Sequence, residues 1–245
     1  MNYLIIGASA GLGRALAQKL ACEGNNLILL ASDERDLQAV ASDLAIRHHI
    51  KVKTVAADLS VQAGFLEALA GAIDHLGGLD GIFCPIGAVH PQDHIPFNAS
   101  VVYCINNVNY LSVVSIISRF WDLLAQRPHK TVIVGFGSVA SIRGRNFNVC
   151  YAAAKRSLIS FFESLRHAAV STNVLVQLYV LGYLDTNQAF GKRTLLPRAN
   201  PDKLAGRIYK DLQKDFGVVY YPGYWRLIHL ILRILPWRVY KHLTF

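Results

Sequence analysis

Three residues have the types and spacing for proton transfer at a carbon–oxygen bond. Tyr151 and Lys155 close the segment Tyr151-Ala152-Ala153-Ala154-Lys155. Four residues apart on a helix, they share a face. A free phenol has a pKa of about 10 and is a poor acid–base near neutrality. A neighbouring ammonium stabilises the phenolate and lowers that pKa. Ser138 lies thirteen residues before Tyr151, just beyond an apolar run. Its hydroxyl can bind a substrate oxygen while Tyr151 exchanges the proton. A lone tyrosine–lysine pair at this spacing is common by chance, so its weight depends on what accompanies it.

A second cluster suits an anion. Gly7-Ala8-Ser9-Ala10-Gly11-Leu12-Gly13 follows a short apolar run and opens a helical pattern. Glycines at these places allow a tight turn and a close backbone approach to a pyrophosphate. The helix that follows points its positive N-terminal end at the same anion. A glycine-rich turn alone is weak evidence. Between the first strand and first helix of an alternating chain it predicts a dinucleotide site. The residues assigned to it are Gly7, Ser9, Ala10, Gly11, Leu12 and Gly13.

At the end of the second apolar run stand Ser32 and Asp33. A carboxylate here would hold the ribose of NAD, and an arginine the 2′-phosphate of NADP. Ser32 does neither decisively, and Asp33 serves equally as a helix N-cap. The choice between NAD(H) and NADP(H) stays open. Asp58, with Leu59 beside it after the third run, is placed to receive the adenine amino group or to cap the next helix. An oxidised nicotinamide ring near Tyr151 would lower the phenol pKa further.

The elements that must position these residues read clearly. Apolar runs at 3–6, 27–31, 52–56, 81–84, 131–135 and 174–180 alternate with helical patterns near 11–23, 34–48, 61–76, 101–125 and 151–168. Continuous apolar strands separated by helices predict an α/β fold, a doubly wound parallel sheet with helices on both faces. Residues 1–190 form the nucleotide-binding catalytic part. Residues 191–245 supply a substrate-region helix and a basic apolar tail to the same domain.

Composition narrows the class. The 245 residues are 53% hydrophobic and 17% charged, which excludes a disordered chain. The four cysteines form no CxxC pair, so no metal site or disulfide framework is expected. They read as small buried residues in a reducing compartment. The N-terminus lacks a basic leader, and Gly7 and Ser9 interrupt its apolar run, so no signal peptide is expected. No stretch of about 18 uninterrupted apolar residues predicts a transmembrane helix.

At this point the chain resembles the short-chain dehydrogenase/reductase family over residues 1 to 190. The resemblance implies a Rossmann-type fold, NAD(P) and a Ser138–Tyr151–Lys155 site completed by an asparagine. Asn109, in Val108-Asn109-Tyr110-Leu111, matches that asparagine, which in the family supports a water relaying protons from the lysine. Lys155 would also bind the nicotinamide ribose. Leu181-Gly182-Tyr183-Leu184-Asp185-Thr186 resembles the family's PGxVxT stretch, and Thr186 would hold the nicotinamide carboxamide. Cys84-Pro85-Ile86-Gly87 departs from the usual NNAG, keeping Gly87 alone as a cofactor-binding position.

The tail narrows the substrate. The net charge is +9. Residues 1–186 hold 14 Lys and Arg against 13 Asp and Glu, while residues 187–245 hold 11 against 3. The excess thus sits in the C-terminal quarter. Arg226, His229 and Arg233 share one helical face amid apolar residues, and Pro236 should kink or restart the helix. Tyr224, Trp225 and Trp237 are placed as interfacial anchors. A basic amphipathic helix of this kind suits an anionic membrane surface; core packing or a homodimer or homotetramer interface suits it equally. No nucleic-acid module accompanies the basic residues, so nucleic acid is not an expected partner.

Arg143-Gly144-Arg145-Asn146-Phe147 and the tail centre Arg233-Ile234-Leu235-Pro236, with Asn109 and its neighbours, resemble the decaprenylphosphoryl-2-keto-erythropentose reductases. That resemblance implies a keto-sugar carried on a polyprenyl phosphate, and a cytoplasmic enzyme peripheral on the inner face of a membrane. Arg143 and Arg145 would meet the phosphate, and His90 lies in a loop suited to substrate contact. The expected reaction is hydride transfer to a keto group. A soluble reductase of small ketones or sterols, with the tail used for oligomerisation, and a catalytically silent cofactor-binding scaffold are the competing readings.

Overall fold

A computed structural model describes residues 1–61, 64–96, 98–186 and 196–243. Positions 191–195 of the expected second segment and Thr244 and Phe245 of the tail lie outside the described residues.

Among the described residues, seven strands form one parallel sheet in the order β3-β2-β1-β4-β5-β6-β7. They are β1 (Asn2–Ile6), β2 (Asn26–Ala31), β3 (Val52–Ala56), β4 (Gly81–Cys84), β5 (Thr131–Ser138), β6 (Val174–Leu181) and β7 (Val218–Tyr221). Alternate residues of each strand feed opposite faces. On β1, Tyr3 and Ile5 enter one core and Leu4 and Ile6 the other. Helices α1 (Gly11–Cys22), α2 (Glu34–His48) and α7 (Pro201–Asp211) cover the first. Helices α3 (Phe65–Leu76), α5 (Ser112–Ala125) and α6 (Val149–Ala168) cover the second. Both sheet faces are therefore dry, which is why the central strands read as unbroken apolar runs.

Several boundaries differ from expectation. The fifth strand runs on to Ser138, because its last residues pair with β6 as far as Ser138 opposite Leu181. Ser138 thus ends the strand instead of following it. The third helix starts at Phe65, not at 61. The seventh strand was not expected: it is a four-residue edge strand whose outer positions are half-exposed.

The run Ala99–Ala125 is long and apolar enough to cross a membrane by length and composition. It comprises α4 (Ala99–Asn106), a π turn at Asn107–Leu111, and α5. Its α5 part buries Val113, Ile116, Ile117, Phe120 and Leu124 against the sheet, so this stripe serves the core.

The tail forms α8 (Trp225–Ile234) and α9 (Trp237–Tyr240), broken at Pro236 as expected. Its apolar stripe points outward: Leu227 is 62% exposed, Ile234 72% and Trp237 64%. Trp225 at 7% and Tyr240 at 6% are the buried exceptions among the described tail residues. The expectation of an interfacial Trp225 is corrected. A Cβ on Gly182 would lie 1.9 Å from its indole Nε1, so the missing side chain of Gly182 is the space the indole fills.

Candidate active site

Strand order reverses between β1 and β4, and ligands of such sheets bind beyond the carboxyl ends of the strands at that point. A cavity of about 870 Å³ opens there. The glycine turn lines it, with Ser32, Asp58 and Leu59 along one flank and Ser138, Tyr151, Lys155 and Thr186 along another.

The turn fits an anion. Gly7 has φ +90° and Gly11 φ +52°, the left-handed region that glycine enters without strain. Gly13 does not line the cavity; a Cβ there would come within 1.9 Å of the Gly7 carbonyl oxygen, so its role is close packing of helix on turn. Helix α1 begins after Ala10 with no side-chain cap and no acidic residue in its first turn. Its first N–H groups and dipole remain available to a phosphate. Thr186 reaches across to Gly11, its Cγ2 standing 3.2 Å from where a Cβ would be.

The nucleotide flank separates the alternatives left open above. Asp33 is the N-cap of α2, accepting from the Asp36 N–H at 2.9 Å, and does not line the cavity. Ser32 does. Asp58 lines the cavity and accepts from the Ser60 N–H at 2.9 Å, which holds its carboxyl below the usual range. With α3 starting at Phe65, Asp58 caps a turn and not that helix.

Tyr151 and Lys155 sit on α6, one turn apart. Burial raises the phenol pKa, while the Ser138 hydroxyl and the Arg145 charge pull it down. Lys155 is 3% exposed. Its Nζ donates to the Ile86 carbonyl at 2.8 Å and the Phe136 carbonyl at 3.2 Å. Burial pushes its pKa down to about 8. Two carbonyls engage the ammonium.

Asn109 is fully buried behind the cavity wall. The π turn directs it inward, where Nδ2 donates to Ala88 O at 2.8 Å and Ile105 O at 2.9 Å, and Oδ1 accepts from Ala88 N at 3.1 Å. Gly87 lies between it and Lys155: a Cβ there would be 3.7 Å from both Asn109 Oδ1 and Lys155 Nζ.

The substrate-side expectations divide. Arg145 lines the cavity, whereas His90 and Arg143 do not. Arg143 donates to the carbonyls of Leu232 and Leu235 at the end of α8 and lies 4.1 Å over the Tyr240 ring. It is engaged by the tail instead of facing the cavity, because the unsatisfied carbonyls of a helix end attract a cation.

Sequence reasoning missed Asp93. Its buried carboxylate accepts from Cys150 N at 2.8 Å and Tyr151 N at 2.9 Å. It caps α6 from a loop 57 and 58 residues away, fixing the turn that carries Tyr151. Asn148, just before α6, adopts φ +50°, a conformation asparagine tolerates better than most residues. Cys150 turns away from the cavity into a small cluster with Val101 and Ile105.

Comparisons with known proteins agree with this geometry. The short chain dehydrogenase family model matches residues 2–194. The hydroxysteroid 11-beta-dehydrogenase 1-like protein of Macaca fascicularis is 32% identical over 244 residues, covering 96% of this chain and 83% of that one. Its Bos taurus counterpart is 31% identical over 253 residues, covering 100% and 85%. Among solved structures, a 7beta-hydroxysteroid dehydrogenase superposes with TM-score 0.82 at 20% identity, covering 95% and 92% of the two chains. The bulky-bulky ketone specific alcohol dehydrogenase from Comamonas testosteroni gives 0.80 at 19% identity, covering 99% and 94%. At such identities these two structures establish the fold.

Proposed function

This chain belongs to the short-chain dehydrogenase/reductase family, and we propose that it reduces a keto group, or oxidises the matching alcohol, on a hydrophobic membrane-borne substrate. The observation that carries the reading is the meeting of the glycine turn with Ser138, Tyr151 and Lys155 in one cavity.

The uncapped α1 terminus would hold the pyrophosphate of NAD(H) or NADP(H), Asp58 and Leu59 its adenine end, and Lys155 and Thr186 its nicotinamide end. When bound, the coenzyme supplies or accepts the hydride. Ser138 binds the substrate oxygen. Tyr151 gives its phenolic proton to that oxygen in reduction and takes one in oxidation. Asn109, locked to Ala88 and Ile105, fixes the wall beneath Lys155.

A lipid-linked keto-sugar is the favoured substrate class. The two segments that resemble the decaprenylphosphoryl-2-keto-erythropentose reductases touch each other, Arg143 meeting the Leu232 and Leu235 carbonyls. The outward apolar stripe of α8 and α9 lies beside Arg226, Arg238 and Lys241. Apolar area with cations at its rim suits an anionic bilayer, where such a lipid resides. The relatives named for hydroxysteroids favour a second reading, a neutral sterol or bulky ketone.

Coenzyme oxidation with a polyprenyl-phosphate keto-sugar, a keto-steroid and a small ketone separates these readings. We expect the lipid-linked sugar to turn over fastest, and faster still with anionic vesicles than with neutral ones. Turnover of the keto-steroid alone, indifferent to vesicles, would move the assignment to the second reading.

A further inference from the structure

Arg145 lines the cavity together with Ser138, Tyr151 and Tyr183. Among the described residues it forms no ion pair. The positions outside them, 62–63, 97, 187–195 and 244–245, include no aspartate or glutamate. Asp58 is the one acidic residue among the described residues that line the cavity, and it sits on the nucleotide flank, accepting from the Ser60 N–H. Acids on the adjoining segments are engaged elsewhere: Asp93 accepts from two backbone N–H groups, and Asp185 faces Arg198 at 3.7 Å.

The guanidinium is also short of acceptors. Its Nε is buried with no hydrogen-bond partner among the described residues, and burial lowers its pKa. The Phe147 ring, 4.2 Å from its Cζ, offers the charge a π face but no oxygen. A buried donor left unpaired costs free energy, which an incoming acceptor recovers. The planar fork of a guanidinium suits two oxygens of one anionic group.

The tail holds the loop that carries this donor. The Tyr240 hydroxyl donates to the Gly144 carbonyl at 2.8 Å. Arg143 donates to the Leu232 carbonyl at 3.0 Å and to that of Leu235, with its Cζ 4.1 Å over the Tyr240 ring. On the other side the loop runs into α6, whose first turn Asp93 caps. Two arginines two residues apart therefore have different tasks. Arg143 fastens the loop to the tail, and Arg145 lines the cavity.

We propose that Arg145 is the anion-binding end of the substrate site, and that the keto substrate carries a phosphate ester, which Arg145 binds while Ser138 holds the reacting oxygen. The tail, through Tyr240 and Arg143, keeps Arg145 in place. The inference rests on the proposed reading of Ser138 and Tyr151 as the reacting end of the same cavity. It also decides between the two substrate classes of that reading. A phosphate ester is charged at neutral pH and offers two free oxygens to the fork. A neutral sterol offers Arg145 no charge to bind.

Binding tests this without turnover. Farnesyl phosphate, farnesol and inorganic phosphate are titrated calorimetrically into the full chain, as wild type, R145Q, R145K and Y240F, with and without oxidised coenzyme. Thermal unfolding checks that each variant is folded. Farnesyl phosphate should bind the wild type at least about tenfold more tightly than farnesol does. R145Q should bring the two to parity, and R145K should keep part of the preference. Y240F should lose part of it while remaining folded. Inorganic phosphate bound as tightly as farnesyl phosphate, and lost in R145Q, would support the anion site and assign it to a soluble phosphorylated ketone. Equal affinity of the wild type for farnesyl phosphate and farnesol, or an R145Q that keeps the preference, overturns the proposal. Wild-type affinities in Y240F would overturn the tail's share in it. Failure to bind either coenzyme would instead sink the functional reading, and the comparison of R145Q with wild type would still decide the anion site.

Discussion

The sheet and the tail use apolar residues in opposite ways. In residues 1–186 the apolar runs vanish between a sheet and its helices, and the charges nearly cancel. In α8 and α9 they face outward, and cations crowd beside them. A single composition therefore carries two meanings, a dry core behind the cavity and an apolar surface that faces outward. The joins between the regions include Trp225 in the space left by Gly182, the Tyr220 hydroxyl of β7 against His229, Arg143 on the end of α8, and Tyr240 on Gly144.

The contrast can be broken at graded cost. Removing the proposed acid–base group by Y151F should lower turnover about 10²–10⁴-fold with folding unchanged, read by steady-state kinetics and thermal unfolding. Gly13→Ala forces a Cβ onto the Gly7 carbonyl. It should cost about 3 kcal/mol and abolish coenzyme binding, seen by denaturant unfolding and fluorescence titration.

Lys155 makes a pH-dependent prediction. Its folded pKa, about 8, lies below the ordinary 10.5. In this window the unfolded chain binds more protons than the folded one, so stability should rise with pH between about 8 and 10.5. The gain is about 3 kcal/mol at most. K155M should flatten that rise in pH-dependent unfolding curves.

Smaller effects come from the supports. Asp93→Asn keeps the shape but loses the charge-assisted capping of α6, and should cost about 2 kcal/mol. Replacing Leu227, Ile234 and Trp237 together by serine should change stability by less than about 0.5 kcal/mol per site, yet abolish flotation with anionic vesicles. A large loss of stability in that variant would mean the tail is core after all, and the contrast between the regions would fail.

Six of the strands and the shared helix of Tyr151 and Lys155 were legible because local signals carry them. Buried parallel strands are apolar along their whole length, and a helix places Tyr151 and Lys155 together by spacing alone. Strand β7 was hidden because an edge strand of four half-exposed residues has no comparable run. Asp93 was hidden because its partners lie far away in sequence, and an aspartate in a loop reads as solvated. Trp225 misled for the same reason: amphipathic spacing says which residues share a face, not that a glycine elsewhere leaves room for an indole. Arg143 and Arg145 look alike in sequence, and only the tail's position separates their tasks.

The most direct test of the central claim follows a labelled hydride. Reduced coenzyme deuterated at the transferred position is mixed with the protein and a lipid-linked keto-sugar or keto-steroid, and the alcohol is analysed by mass spectrometry. One deuterium on the new carbinol carbon, with its appearance slowed by at least about 10² in Y151F, is the predicted result. Failure to bind either coenzyme, or equal transfer by Y151F, would contradict it.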